Sequence, residues 1–266
     1  MNIFESIVLG ATQGLTEFIP VSSSGHLEIV RGMLGASPDS FHLFLEFVNI
    51  GTLLALLIFF RKKIWAIIID IFKNHNFKLA INILITSIPA GLIGLSLASF
   101  IEESSFFGAL IVVAIAMGIV GLLMIFLEKL PRAKLVKDGE HLSKPKALAI
   151  GLAQTFALIP GVSRSGATII AGRLSGLSPA ASAEYSFLAS IPIFVGVTIK
   201  LFLSSSDRAY FVENLPMLAL SNLIAFATGL LALFIVFKYL KKHQSLQVFG
   251  VYRLALSLGL IAALLI

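Results

Sequence analysis

A chain of 266 residues that is 58% hydrophobic and 13% charged, with a mean hydropathy of +0.98, carries more apolar surface than one soluble core can hide, so its solvent must be largely lipid. The net charge of +6 does not mark a nucleic-acid binder, because the basic residues gather at the ends of apolar segments, which is the pattern of membrane orientation. The absence of cysteine excludes disulfides, thiolate metal sites and cysteine nucleophiles, and leaves the redox compartment open.

In chain order, the first apolar stretch covers about 3–34. No basic n-region or small-residue cleavage site precedes it, so the chain is expected to be mature from its first residue. Proline and serines interrupt the stretch at Pro20-Val21-Ser22-Ser23-Ser24-Gly25, where a lost backbone donor and competing hydroxyls forbid one continuous helix. Six windows of spanning length follow, at about 41–60, 79–99, 107–127, 181–203, 214–237 and 246–266. Between the third and fourth lies a second broken stretch, about 147–172, interrupted by Pro160-Gly161-Val162-Ser163-Arg164-Ser165-Gly166. Each broken stretch is expected to be a re-entrant helical hairpin, with its second helix starting near Gly25 or Gly166.

The two broken stretches are copies. A shift of 141 positions lays Gly10 on Gly151, Gln13 on Gln154, Val21 on Val162, Ser22 on Ser163, Ser24 on Ser165 and Gly25 on Gly166, and a shift of 142 lays Phe107-Gly108 on Phe249-Gly250. The expected fold is therefore an all-α integral membrane domain over 1–266, built from two repeats of about 1–128 and 142–266. Each repeat is a re-entrant hairpin plus three transmembrane helices. Three spans per repeat is odd, so the second copy enters from the opposite face and the repeats are inverted.

Loop charge bears on the same point. If the loop at 61–78 is cytoplasmic, that side holds Arg61, Lys62, Lys63, Lys73, Lys78, Lys129, Arg132, Lys134, Lys137, Lys144, Lys146, Arg173, Lys238, Lys241 and Lys242. The other side holds Arg31, Arg208 and, at a span end, Lys200, against Asp39, Glu102, Glu103, Asp207 and Glu213. Both termini and the opening of the first hairpin are then expected on the outer face of the membrane.

Irregular backbone at membrane depth is tolerated only inside protein or along a wet cavity, so the two loops are expected to meet near the midplane. The first brings Gln13 and Glu17 on one helical face, then Ser22, Ser23, Ser24 and His26. The second brings Ser163, Arg164, Ser165 and Thr168. Hydroxyls, a guanidinium and two helix N-termini suit a phosphate group. Glu17 with Gln13 offers the oxygen donors that Mg²⁺ or Ca²⁺ prefers. Ser23 activated by His26, or His26 itself, supplies a nucleophile, and sequence alone leaves the choice open. Serines in membrane helices commonly do no more than pack and cap, so Ser22, Ser23 and Ser24 each carry a second, structural reading. Glu184 is expected to orient the second loop, and Arg253 to anchor a helix or pair with an acid.

Residues Gln13 to His26 resemble the Glu/Gln-x-x-x-Glu segment and the Pro-Val-Ser-Ser-x-Gly-His motif of the undecaprenyl-diphosphate phosphatase family, also called the bacitracin-resistance family. Pro160 to Thr168 is similar to the second motif of that family, and Ala181 to Pro192 to the span after it. Gln13 stands where many members have a second glutamate, and Asn49 where a glutamine is usual. The resemblance implies metal-dependent hydrolysis of undecaprenyl diphosphate to the monophosphate, recycling the lipid carrier of peptidoglycan synthesis, with Glu17, Ser23, His26 and Arg164 catalytic. The expected partners are a polyprenyl diphosphate and the membrane, with a homodimer as candidate assembly and no nucleic acid. The rival class is a polyprenyl-phosphate flippase or anion transporter on the same plan, against which stands the asymmetry of the loops. Glu17, Ser23 and His26 face leucine, arginine and alanine at the equivalent positions.

Overall fold

The computed structural model of the chain describes residues 2–35, 38–104, 106, 109–130 and 136–265. Phe107, Gly108, Arg132 and Lys134 lie outside the described residues, as do the side chains of Asp39, Glu102 and Glu103. The described residues form helices throughout, apart from turns and a single bridge between Val136 and Leu177.

Six helices are long and apolar enough to cross a membrane, and they fall on the six windows read from hydropathy. Their apolar spans are Phe41–Phe59, Lys78–Leu97, Leu110–Leu127, Pro179–Leu203, Leu215–His243 and Gln247–Leu265. They belong to helices α3 (Pro38–Phe59), α5 (Lys78–Glu103), α6 (Leu110–Leu127), α9 (Pro179–Leu203), α11 (Leu215–His243) and α12 (Gln247–Leu265). The broken stretches are two helix pairs: α1 (Ile3–Phe18) with α2 (Ser23–Leu34), and α7 (Lys144–Thr155) with α8 (Arg164–Leu174). Their second helices begin two residues ahead of the glycines because Ser22 and Ser163 cap them.

Two further helices, α4 (Arg61–Phe72) and α10 (Ser205–Glu213), fill segments expected to be loops. In α4 the run Ile64-Trp65-Ala66-Ile67-Ile68-Ile69 favours a helix, while Arg61, Lys62, Lys63 and Asp70 keep it from being a span. Trp65 and Phe72 remain exposed on it.

Helix packing within an apolar solvent gains little from hiding more hydrocarbon, so close backbone approach carries it. The pairs cross over between the halves of the chain. Helix α1 packs along α11, while α7 packs along α5. Both contacts need a residue without a side chain: a Cβ on Gly10 would lie 2.6 Å from the carbonyl oxygen of Ser221, and one on Gly151 2.7 Å from that of Thr86. The first helix of each pair is thus held by a long helix from the other half, which draws the two broken loops towards one another. Below them Phe18 meets Phe187 edge to face at 5.5 Å, both fully buried, in a cluster that also takes in Phe60 and Phe237.

Candidate active site

Both helix breaks have the same local design. Ser22 and Ser163 adopt positive φ angles of 77° and 75°, a conformation rare for a residue with a side chain. In each, the hydroxyl accepts the amide proton three residues on, from Gly25 at 3.3 Å and from Gly166 at 3.1 Å. Each also pairs with the serine two positions later, Ser24 or Ser165, at 3.2 Å. The hydroxyl of Ser24 accepts from the amide of Gly161, which joins one loop to the other.

The side chains at the centre of the loops meet on Glu17, at the last turn of α1. One carboxylate oxygen accepts from the hydroxyl of Ser23 at 2.6 Å and from the amide nitrogen of Gln13 at 3.0 Å. The other accepts from Arg164 Nη2 at 2.8 Å, across 147 positions of chain. The pair is 9% exposed at Glu17 and 14% at Arg164, so it is nearly withdrawn from solvent. Arg164 lies 4.5 Å over the ring of Phe194, and its Nη1 is buried without a hydrogen-bond partner. A buried guanidinium N–H with no acceptor among the described residues is an unsatisfied donor, and an anionic oxygen would satisfy it.

His26 turns elsewhere. Its Nδ1 lies 2.7 Å from the carbonyl oxygen of Ser22, which can only accept, so the proton is on Nδ1. Its Nε2 then accepts from the hydroxyl of Tyr252, also at 2.7 Å. The geometry therefore brings Ser23 to Glu17 and not to His26.

The remaining expected site residues separate into two groups. Gln13 is buried and its amide nitrogen also donates to Asn49 Oδ1 at 2.6 Å. Ser163 and Ser165 are buried at the second cap, and Ser165 reaches the carbonyl of Glu17 at 3.4 Å. Thr168 faces away: its hydroxyl donates to the carbonyl of Arg164 and pairs with Ser186 on α9. Glu184, expected to orient the second loop, instead pairs with Lys63 at 3.0 Å. Arg253, expected to anchor a helix or meet an acid, is fully buried and donates to backbone carbonyls at the helix breaks. Asn49 and Tyr252 also touch the site. Asn49 was legible only as a departure from a motif, and Tyr252 carried no signal in sequence because its partner is 226 positions away.

For a divalent cation the donor set is small. Among the described residues no three of His, Asp and Glu cluster, and both oxygens of Glu17 already accept from protein donors. One carboxylate, the carbonyl oxygen of Gln13 and nearby hydroxyls do not make a closed cage. They do fit a cation that keeps part of its water and shares phosphate oxygens with the protein, as Mg²⁺ commonly does.

The family described as "Bacitracin resistance protein BacA" matches residues 6–259. The chain is 36% identical over 251 residues to an undecaprenyl-diphosphatase of Methanococcus maripaludis (strain C6 / ATCC BAA-1332), covering 93% of this chain and 95% of the relative. It is 36% identical over 269 residues to undecaprenyl-diphosphatase 1 of Clostridioides difficile (strain 630), covering 98% and 96%. Against the undecaprenyl-diphosphatase of Ectopseudomonas mendocina (strain ymp) the identity is 32% over 260 residues, covering 97% and 93%.

Proposed function

The chain belongs to the bacitracin resistance protein BacA family, and on that footing we propose that it is a membrane phosphatase that hydrolyses undecaprenyl diphosphate to undecaprenyl phosphate and inorganic phosphate. The activity recycles the lipid carrier of peptidoglycan synthesis and fits the bacitracin resistance in the family's name. The observation that carries the mechanism is the contact of Ser23, Glu17 and Arg164, which puts a hydroxyl, its proton acceptor and a cation with a spare donor in one place.

Arg164 grips the terminal phosphoryl group through Nη1 and the free face of its fork. The Ser23 oxygen attacks the terminal phosphorus while its proton passes to the Glu17 oxygen 2.6 Å away. The bond from that phosphorus to the bridging oxygen breaks, and undecaprenyl phosphate leaves with the electron pair. Water then attacks the phosphoserine, giving a proton to the medium, and Glu17 returns its proton to the serine oxygen as inorganic phosphate departs. Arg164 and the amide donors of two helix N-termini, at Ser23 and Arg164, meet the charge that grows on the equatorial oxygens. A Mg²⁺ or Ca²⁺ ion held by Glu17 and the Gln13 carbonyl would withdraw charge from the phosphoryl oxygens when bound.

His26 supports a second reading of the nucleophile. With its proton fixed on Nδ1 by Ser22, the Nε2 lone pair, which accepts from Tyr252, attacks phosphorus in this reading once the tyrosine hydroxyl moves aside. Quenching turnover in acid and in base and mapping the adduct by mass spectrometry separates the two. An acid-stable phosphate on Ser23 is expected, and an acid-labile one on His26 would replace that assignment.

The wider frame belongs to the same proposal. The matched caps at Ser22 and Ser163 and the crossed packing of α1 and α7 support two repeats of inverted sense, with each helix pair a re-entrant hairpin. Basic residues at one set of helix ends support an outward-facing first hairpin and outer termini. Phosphate release from undecaprenyl diphosphate by purified protein in detergent tests the function; tight binding with no release would favour a carrier. Impermeant thiol labelling of Lys137→Cys in intact cells tests the orientation: no labelling is expected, and labelling would reverse it.

A further inference from the structure

Arg253 stands on the face of α12 that packs on α6. Gly250, three residues before it, and Ser257, four after it, are buried on the same face. A Cβ on Gly250 would lie 2.7 Å from the carbonyl oxygen of Gly121, so the two backbones touch and the arginine has no room to leave. Its guanidinium donates to four carbonyls: Met117 on α6, Pro20 in the first loop, and Gly161 and Val162 in the second. Those three loop carbonyls were released from helical hydrogen bonding by the breaks, and at membrane depth no water would replace the lost bonds. One five-donor fork thus satisfies both breaks and fixes the distance between them.

Charge makes the same residue notable. Arg164 is balanced by Glu17, whereas Arg253 has no carboxylate within salt-bridge distance among the described residues. An uncompensated buried cation is costly, and intramembrane positions that carry one are functional by default. Next to it in the chain, Tyr252 reaches out from α12 to donate its hydroxyl to Nε2 of His26, the planes of the two rings lying within 4° of parallel. In the first half of the chain the positions 142 residues earlier are Leu110 and Ile111, which have neither group.

We propose that Tyr252 and Arg253 are positioning residues for the phosphatase reaction, Arg253 setting the two hairpin loops at one separation and Tyr252 holding the His26 imidazole with Nε2 engaged. The proposal rests on the function proposed above. Arg253 keeps Ser23 and Arg164 facing one another and leaves an unbalanced positive charge behind the loops for the diphosphate. Tyr252 ties the histidine of one half of the chain to a helix of the other, and that ring in turn bonds the Ser22 carbonyl, so it steadies the turn that carries the Ser23 hydroxyl to Glu17.

The test uses the full chain in detergent with Tyr252→Phe, Arg253→Lys and Arg253→Gln. Tyr252→Phe removes one oxygen from a half-exposed side chain and leaves the fold intact. We expect its kcat to fall about 10-fold with KM within about twofold, because a ring held less firmly lets the Ser22 turn and the Ser23 hydroxyl drift from their places. Arg253→Lys keeps the charge and loses the fork, so kcat should fall about 100-fold while KM rises less than in Arg253→Gln. With His42, His75, His141 and His243 replaced, the ¹⁵N resonance of His26 Nε2 should move towards the free-imidazole position in Tyr252→Phe while Nδ1 stays. A wild-type kcat in Tyr252→Phe overturns the proposal for Tyr252 whatever the resonance does, and a wild-type kcat in Arg253→Gln overturns it for Arg253. If the Arg253 variants lose their thermal transition, Tyr252→Phe decides. A wild-type protein that releases no phosphate would sink the proposed function instead, and the His26 resonance would still report whether Tyr252 holds the ring.

Discussion

The two loops share a backbone and differ in their chemistry. Ser22 and Ser163 hold the same strained φ, cap the same way and pair with a second serine at the same distance. Between and around these duplicated residues, Ser23 is matched by Arg164, His26 by Ala167 and Glu17 by Leu158. The duplicated serines build the helix break; of the unduplicated residues, Ser23 and Arg164 meet at Glu17, while His26 turns to Tyr252. The lesson is a division of labour. On the proposed mechanism the cap is common to both breaks, while Ser23 reacts from the first and Arg164 grips from the second.

If that division holds, the unduplicated residues govern rate and the duplicated ones stability. The largest effect should come from Glu17→Ala, which removes the acceptor for Ser23, the partner of Arg164 and the carboxylate proposed for the cation. Phosphate release should drop by about 10³-fold or more with the thermal transition retained. Arg164→Lys should cost about 10²-fold, because a lysine cannot bond Glu17 and a phosphoryl oxygen as one planar fork. Ser163→Ala should behave differently, lowering stability by about 1 kcal/mol as a lost N-cap does while kcat changes less than in Ser23→Ala. Calorimetry and initial rates on the same preparations read both. A kcat loss in Ser163→Ala equal to that of Ser23→Ala would erase the distinction. The smallest effects belong to Thr168 and Gln13. Thr168→Val should leave kcat within about threefold, since its hydroxyl faces Ser186 and not the loops. Gln13→Glu should lower the Mg²⁺ concentration for half-maximal activity several-fold by adding a second carboxylate, and an unchanged requirement would place the cation elsewhere.

Much of this could be read from sequence because lipid makes the signals strong. Spanning helices need long uncharged windows, and all six were legible to within a few residues of their ends except at His243, where α11 runs on past the apolar window into Lys241 and Lys242. The helix breaks were legible because proline, glycine and serine stand out in an apolar chain. The segment at 61–78 was not, since α4 mixes charge with isoleucine at a length too short for a span. Within the site, the residue types pointed to phosphate chemistry, but partner choice did not follow from spacing. Glu17 and Ser23 are six apart across a turn, and only the conformation of Ser22 decides that the hydroxyl reaches the carboxylate while His26 turns to Tyr252. Arg253 looked like an anchor because its acceptors are backbone carbonyls, which every residue has.

The central claim is that the two helix breaks act as one catalytic unit through Glu17 and Arg164, 147 positions apart in the chain. A double-mutant cycle tests it most directly: phosphate release from undecaprenyl diphosphate by the wild type, Glu17→Gln, Arg164→Gln and the double variant, under one condition. For a single unit the double variant should be within about threefold of the worse single variant, because either change already dismantles the pair. Rate losses that multiply across the two sites would contradict the account.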